Sequence, residues 1–236
     1  MKVTPIKTRI FKEREDILTF IKRYFKRIPE KSILVVTSKI VSYSEDRLKS
    51  IENKKTKENL IREESDVMMR TKYIWLTIRD NMVMPSAGVD ESNANGKIIL
   101  LPKDSYKSAE RIRRELRKYY KLKKFGVLIT DSRSMPLRKG IVGVAMGYAG
   151  FKGIRDYQGT PDIFGRILNL SITDVADSLA TSAVLCMGEG RERQPLALIE
   201  DAPVEFVEKT NRKELEINLK EDLYQPLFEK IKKLRW

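Results

Sequence analysis

Short runs of apolar residues recur along the chain and predict the strands of its core. Successive side chains of a strand point to opposite faces, so short alternating or continuous apolar runs indicate half-buried or buried strands. Such runs lie at Val3–Ile10, Ser32–Val36, Tyr73–Ile78, Lys97–Leu101, Gly126–Thr130, Ile167–Val175 and Leu196–Ile199.

Apolar residues spaced three and four positions apart predict amphipathic helices between these strands. The predicted helices are Lys12–Arg27, which ends before Pro29; Lys54–Met69; Tyr106–Tyr120, capped by Asp104 or Ser105; a segment from Asp174 or Asp177 toward Met187; and Glu221–Trp236, with Pro226 as an alternative start. The elements lack the regular alternation of a doubly wound sheet, which favours an α+β fold over a simple Rossmann arrangement. No repeat or long low-complexity linker divides residues 1–236, so one unit is predicted.

Two polar, acidic segments follow predicted strands and suggest one site. Ser86–Asn95 is rich in Gly, Ser and Asn, and its Asp90 and Glu91 offer hard oxygen ligands, although a solvated turn is equally compatible with it. Asp131 and Ser132 directly follow the apolar run Gly126–Thr130. Loops held by strands often carry function, so the pair of segments predicts a metal–phosphate site.

Three further segments each leave more than one interpretation open. Thr37–Lys39 follows a buried strand with two hydroxyls and a cation, which suits phosphate contact but is a weak motif. The glycines around Glu189 suit either a helix C-cap or a loop in which Glu189 faces a metal. Gly140–Gly153 suits tight backbone packing, a dimer seam or a phosphate loop, although neither a Walker loop nor G-x-G-x-x-G is present.

The composition predicts a soluble, cytoplasmic protein with a substantial core. Hydrophobic residues make up 41% of the 236 residues, and no apolar run approaches the roughly 20 residues that span a bilayer. The N-terminus lacks the apolar block of a signal peptide. Cys186 is the single cysteine, which excludes an intrachain disulfide and fits a reducing compartment.

The absence of histidine and the excess of positive charge restrict the chemistry. Without histidine, His-based triads and His-ligated zinc are excluded, so a metal must be bound by oxygen atoms, which favours Mg²⁺ or Mn²⁺. The formal net charge of +14 predicts an anionic partner: nucleotide phosphates, polycarboxylates or nucleic acid. The basic stretch Arg111–Lys124 suits nucleic acid or, more often, a solvated helix face.

An ordered set of motifs resembles the coenzyme F-420:L-glutamate ligase family, whose members are also called F-420-0:gamma-glutamyl ligases. The matching segments are Ile33–Ser42, Ala87–Asn93, Leu100–Asp104, Gly126–Ser132, Val142–Gly147, Asp162–Arg166, Val175–Ala180 and Met187–Gly190. They occur in the family's order and cover most of the chain. The resemblance implies a two-lobed α+β fold with mixed sheets and an intertwined homodimer.

Other features are more similar to a bacterial branch described as folate-metabolism gamma-glutamate ligases. These are Thr4–Phe11, Arg70–Ile78, the paired Asn93 and Asn95, and Ile129–Arg138. Leu137 stands where Trp is common in members that make coenzyme F-420, and Tyr43 stands where Lys is typical. The acceptor could therefore be F-420-0 or a folate-type carboxylate.

The resemblance also implies site residues and cofactors. Asp90 and Asp131 would be catalytic and would hold Mg²⁺ or Mn²⁺, with Ser132 and Glu189 as further metal ligands and K⁺ as an additional candidate ion. The nucleotide, GTP, would contact Ser38, Lys39, Asn93 and Met187, Gly188, Glu189 and Gly190. L-glutamate and an anionic carboxylate acceptor would be the other partners.

Amide formation through an acyl phosphate is compatible with these residue types, because phosphoryl transfer depends on positioning and charge neutralisation. Cations available for phosphate or carboxylate are Lys39, Arg133, Arg138 and Lys139, and candidate bases for the amine are Asp156 and Glu91.

Two other hypotheses are a basic nucleic-acid-binding protein and a non-catalytic GTP-binding protein of the same fold. No membrane partner is expected, and nucleic acid is the less favoured of the anionic partners.

Overall fold

The computed structural model describes residues 1–51 and 54–232. Its strands are β1 Lys2–Ile6, β2 Ser32–Thr37, β3 Leu48–Ser50, β4 Val67–Arg70, β5 Trp75–Arg79, β6 Met82–Pro85, β7 Lys97–Ile99, β8 Phe125–Ser134, β9 Ile141–Ala149, β10 Ile154–Asp156, β11 Ile172–Asp174 and β12 Leu196–Glu200. Its helices are α1 Ile17–Tyr24, α2 Ser38–Ser44, α3 Lys54–Glu63, α4 Ser105–Tyr120, α5 Val175–Met187 and α6 Gln225–Lys232. The predicted mixture of helices and several sheets is present.

A five-stranded mixed sheet forms the centre, in the order β1-β12-β2-β8-β9. Only β2 and β8 run parallel among these neighbours, and their register places Thr37 opposite Thr130. Because β2 and β8 run in the same direction and in register, the next residues, Ser38 at the start of α2 and Asp131 within β8, lie side by side.

Helices cover both faces of this sheet, and the alternation of β2 explains how. Leu34 and Val36 pack into the core that includes residues of α1 and α4, whereas Ile33 and Val35 pack into the core that includes α5. All four β2 side chains are fully buried. Burial on two faces accounts for the nearly continuous apolar run that predicted this strand.

The residues between α2 and α4, 45–51 and 54–103, form an insertion with a small core of its own. It contains the antiparallel sheet β4-β5-β6 and the pair β3-β7. The buried side chains of this small core are Ile61, Met68, Ala87, Val89, Ile98 and Leu100, whereas Met84 and Leu101 of the insertion pack into the core of the central sheet. The polar stretch Ser86–Asn95 is thus supported by an independent cluster and faces the central sheet.

A charged network holds this insertion together. The Glu64 carboxylate accepts from Arg47 Nη2 at 2.7 Å and from Arg79 Nη1 at 2.6 Å. Arg47 Nε also donates to the Leu101 carbonyl at 3.0 Å. One carboxylate at the end of α3 therefore ties the segment after α2, strand β5 and the segment after β7 to each other.

The glycine-rich segment is a packed strand, which confirms the interpretation of tight backbone packing at two positions. It forms β9, and a Cβ at Gly143 would lie 2.5 Å from the Ala180 carbonyl oxygen of α5. A Cβ at Gly147 would lie 2.5 Å from the Ser105 carbonyl carbon at the start of α4. Glycine lets two helices approach β9 from its two sides.

Several predicted element boundaries are wrong. The helix Lys54–Met69 ends at Glu63, because Val67–Arg70 pairs with β5 as strand β4. The helix Lys12–Arg27 is shorter, the strand Val3–Ile10 ends at Ile6, and α2 was not predicted. Within the predicted strand Ile167–Val175, only Ile172–Asp174 is extended in a sheet. The last predicted helix begins at Gln225, and residues 233–236 of it lie outside the described residues.

Part of the basic stretch 111–124 serves the fold. Arg113 is buried and donates to the carbonyls of Phe125, Val207 and Glu208. Arg117 forms a bidentate pair with the Glu208 carboxylate. These arginines fasten the segment after β12 to α4, so they are not free to bind nucleic acid. Within the described ranges, no helix has the length and apolar character required to cross a bilayer.

Candidate functional site

A cleft of about 1260 Å³ lies between the central sheet and the insertion. The residues predicted to bind the metal and the nucleotide all line it: Ser38, Lys39, Asp90, Asn93, Asp131, Ser132, Met187, Gly188, Glu189 and Gly190. They come from four distant segments of the chain, so the fold brings together the residues that the motifs identified.

Asp131 enters the cleft from the second half of β8. The register between β8 and β9 shifts between Ile129 and Thr130, an irregularity of the kind that re-aims side chains at sheet edges. Ser38 Oγ donates to Asp131 Oδ1 at 3.2 Å, and Arg133 Nη1 donates to Oδ2 at 2.8 Å. Both carboxylate oxygens are therefore oriented by neighbouring side chains.

Arg133 also lines the cleft, with its guanidinium bound to this carboxylate. It is only 5% exposed and also donates to the Ser132 carbonyl and the Met146 sulfur. Several of its donors are thus used within the protein, and contact with phosphate oxygens stays a prediction. Its position was readable from the strand period, because residues two apart on β8 point to the same face and Arg133 follows Asp131 by two.

Asp90 is fixed from the insertion side. Its backbone exchanges two hydrogen bonds with Ile99 of β7, at 3.0 and 2.8 Å. Its carboxylate accepts from Lys39 Nζ at 2.7 Å and from the backbone N–H and hydroxyl of Ser92, each at 2.8 Å. Partial burial acts to raise the pKa of Asp90, but the hydrogen bonds from Lys39 and Ser92 outweigh it and lower that pKa. The group is therefore held as an anion.

Ser92 lies in the site, although the sequence marked it only as one hydrogen-bonding residue of the polar stretch Ser86–Asn95. Its hydroxyl also accepts from Lys39 Nζ at 2.7 Å, so it joins the two charged groups. An Asp followed two positions later by a residue whose N–H it can accept is the signature of an Asx turn, which was the available signal.

The turn before Asp90 is strained. Ser86 and Ala87 have φ values of +50° and +51°, which side chains bearing Cβ seldom adopt. The Ala87 N–H donates to Thr77 Oγ1 at 2.8 Å, and its carbonyl accepts from Arg79 Nη1. Strand β5 thus stabilises the conformation that directs Asp90 toward the central sheet.

Glu189 enters the cleft just past the end of α5. Gly188 is the C-cap, with φ +80° and its N–H bonded to the Val184 carbonyl, and Asp174 caps the start of the helix as predicted. The Ser132 hydroxyl donates to Glu189 Oε1. The C-cap role is thus confirmed, and Glu189 also lines the cleft.

The two candidate bases lie elsewhere. Asp156 borders a separate depression beside Lys152 and Glu205. Glu91 pairs with Lys57 Nζ at 2.9 Å and is not among the residues that line the cleft. Neither position within one chain suits deprotonation of an amine bound near Asp131, so both proposals are withdrawn.

The oxygen donors of the cleft fit a divalent ion that also takes phosphate oxygens as ligands. The residues that the structure describes contain no group of three acidic, His or Cys side chains arranged to hold a metal. Mg²⁺ commonly uses only one or two carboxylates and completes its shell with water and substrate phosphate oxygens. The carboxylates of Asp90, Asp131 and Glu189 line the cleft and suit that mode.

Comparison with known proteins identifies the family. The family model described as F420-0:Gamma-glutamyl ligase matches residues 5–201. A protein of Methanococcus maripaludis strain C6 named coenzyme F420:L-glutamate ligase is 37% identical over 216 residues, covering 84% of this chain and 86% of that relative. Relatives of the same name from Archaeoglobus fulgidus (30% identical, covering 80% and 83%) and Methanopyrus kandleri (41%, covering 60% and 56%) also match.

The matches bear on the resemblance to the coenzyme F-420:L-glutamate ligase family and on the resemblance to its folate-type branch. The similar proteins named here carry the coenzyme name and not a folate name, so they support the broader family and not the folate branch. The matched range, residues 5–201, contains the four segments that bring the candidate site residues into the cleft: 38–39, 90–93, 131–132 and 187–190. The chain therefore belongs to the F420-0:gamma-glutamyl ligase family and is a ligase.

Proposed function

We propose that the protein joins L-glutamate to coenzyme F420-0 through an amide bond, with GTP as the phosphoryl donor and a divalent cation as cofactor. The observation that carries this proposal is the meeting of four distant motif segments in one cleft. The cleft carries both carboxylates and cations, as phosphoryl transfer requires.

The reaction balances in two displacements. A carboxylate oxygen of the acceptor attacks the γ-phosphorus of GTP, the bond to the β-phosphate oxygen breaks, and GDP leaves. The amine nitrogen of glutamate then attacks the acyl carbon, phosphate departs with the bond electrons, and the nitrogen loses a proton. Catalysis of such steps depends on alignment and on neutralising the phosphate charge.

In this proposal each residue has a role that follows from its position in the cleft. Asp90 and Asp131, with Ser132 and Glu189, would hold Mg²⁺ or Mn²⁺, which when bound would offset the negative charge on phosphate. Lys39 would exchange its contact with Asp90 for a phosphate oxygen, and Ser38 would keep Asp131 oriented. Asn93 and residues 187–190 would contact the nucleotide.

The test is a mass-spectrometric assay of the purified protein with L-glutamate, GTP and Mn²⁺. F420-0 and a folate are supplied separately as acceptors, and we expect a glutamyl mass increment on F420-0. A folate-type acceptor is the second candidate, favoured by the segments Thr4–Phe11 and Ile129–Arg138. Turnover with the folate alone would transfer the assignment to it, and GTP binding without any product would favour the non-catalytic alternative.

We also propose that the protein forms a homodimer through an arm at residues 154–174. The pair β10-β11 forms the base of this arm, and its outer part presents Ile163, Phe164 and Leu170 almost completely to solvent. Neighbouring large apolar side chains at such exposure usually mark an interface. A second copy is the occupant that the family resemblance implies.

Phe164→Asp is expected to shift the protein toward the monomer, because a carboxylate cannot be buried unpaired in an apolar contact. Phe164 is 89% exposed in one chain, so the substitution leaves the fold intact. Sedimentation velocity measures the outcome, with Leu223→Asp as the control at an exposed leucine outside the arm. An unchanged sedimentation coefficient for Phe164→Asp would contradict the arm interface.

A further inference from the structure

The turn between β8 and β9, together with Ser134 and Ile141 that flank it, protrudes from the central sheet. We call residues 134–141 the hairpin tip. All of them are exposed, including Met135, Leu137 and Ile141. Leu137 is fully exposed and has φ +55°, a conformation in which leucine is strained. An exposed, strained leucine contributes nothing to the fold, so a role outside the folded core is the natural explanation.

The hairpin tip continues the same strands that form the cleft. Ser132 and Arg133 line the cleft on β8, and Ile141 lines it on β9. Ser134 pairs with Ile141 at the base of the tip. Strands rise about 3.3 Å per residue, so Leu137 stands at most roughly 20 Å from Asp131. The tip therefore extends one wall of the cleft. A long substrate could reach from Asp131 to Leu137.

The tip also carries positive charge that the fold does not use. No acidic side chain among the described residues pairs with Arg138 or Lys139. Two lysines that line the cleft differ, because Lys39 pairs with Asp90 and Lys57 pairs with Glu91. Apolar surface beside unpaired cations is complementary to a ligand that combines an apolar body with an anionic group.

We propose that the hairpin tip is the acceptor-recognition element of the ligase. It would bind an elongated acceptor whose apolar ring system packs on Met135 and Leu137. An anionic group of that acceptor, phosphate or carboxylate, would meet Arg138 and Lys139, and its reacting carboxylate would reach Asp131. This inference rests on the proposed function and adds to it the shape and charge of the substrate.

The experiment uses two variants of the full chain. Leu137→Asn removes the apolar side chain and retains a residue that tolerates positive φ, and the double change Arg138→Gln with Lys139→Gln removes the charge. Acceptor affinity is measured by calorimetry with F420-0, and KM values are measured for the acceptor, GTP and glutamate. We expect each variant to weaken acceptor binding and to raise the acceptor KM about 10-fold, since one well-made contact is worth about a factor of ten. The KM for GTP is expected to stay unchanged.

Leu223→Asn and Lys118→Gln are the matched controls, because both residues are exposed and lie outside the cleft and the hairpin tip. Unchanged acceptor affinity in both tip variants would overturn the inference, and so would an equal loss of GTP affinity. Loss of the dimer in either tip variant would reassign the tip to the subunit interface. Failure of the proposed function would give a different result. The wild-type protein would then bind the acceptor, and the tip variants would bind it more weakly, but no protein would convert it to product.

Discussion

Asp131→Asn is expected to lower the rate of metal-dependent GTP turnover by about 10³-fold or more, with the fold retained. Removing a carboxylate ligand forfeits several kcal/mol of charge stabilisation in the transition state, and each 1.4 kcal/mol is about a factor of ten. Asparagine keeps the shape and still accepts from Ser38, but it presents no anion to a divalent ion or to Arg133. Single-turnover kinetics and Mn²⁺ titration followed by electron paramagnetic resonance measure the two effects separately.

Asp90→Asn is expected to behave in the same way, since its carboxylate is the anion on the opposite wall of the cleft. Asp201→Asn provides the control at an exposed aspartate that does not line the cleft. Full activity of both cleft variants would show that neither carboxylate holds the cation. Loss of activity with an altered circular dichroism spectrum would indicate a structural effect instead.

Glu64→Ala is expected to have the largest effect on stability, about 3 kcal/mol. The Glu64 side chain is 15% exposed and accepts from two arginines, so its removal leaves two largely buried cations without their partner. Arg79 would also lose the anchor that directs it to the Ala87 carbonyl, and the strained turn before Asp90 would loosen. Urea unfolding measures the loss of free energy, and hydrogen exchange locates it in the insertion.

Glu63→Ala is the matched control, because Glu63 is the preceding residue of α3 and is exposed. A change at such a surface position is expected to stay within about 0.5 kcal/mol. Equal stability of the two variants would mean that the network contributes no more than ordinary surface charges, and the support of Asp90 would then have to come from β7 alone.

The parts of this structure that the sequence predicted share one physical property: the signal lay within a few residues. The apolar run Ser32–Val36 identified β2 because burial on both faces removes polar residues from a strand. Asp174 and Gly188 identified the ends of α5 because caps satisfy backbone groups one turn away. The candidate site residues that line the cleft were selected through motifs, whose order along the chain does not depend on where each element ends.

The parts that were missed depended on contacts between distant segments. Val67 and Met68 have helical spacing with Leu60 and Ile61, and only pairing with β5 makes them a strand. Such choices are decided by tertiary partners, which a local pattern does not contain.

The contacts that build the cleft join residues very far apart in the chain. Ser38 meets Asp131 across 93 positions, Ser132 meets Glu189 across 57, and Lys39 meets Ser92 across 53. The conformational entropy lost in closing such long loops is not offset until the contacts form, so chains of this kind fold slowly. We therefore expect affinity for Mn²⁺ to appear only in the last kinetic phase of refolding, which would make the cation a reporter of the completed molecule.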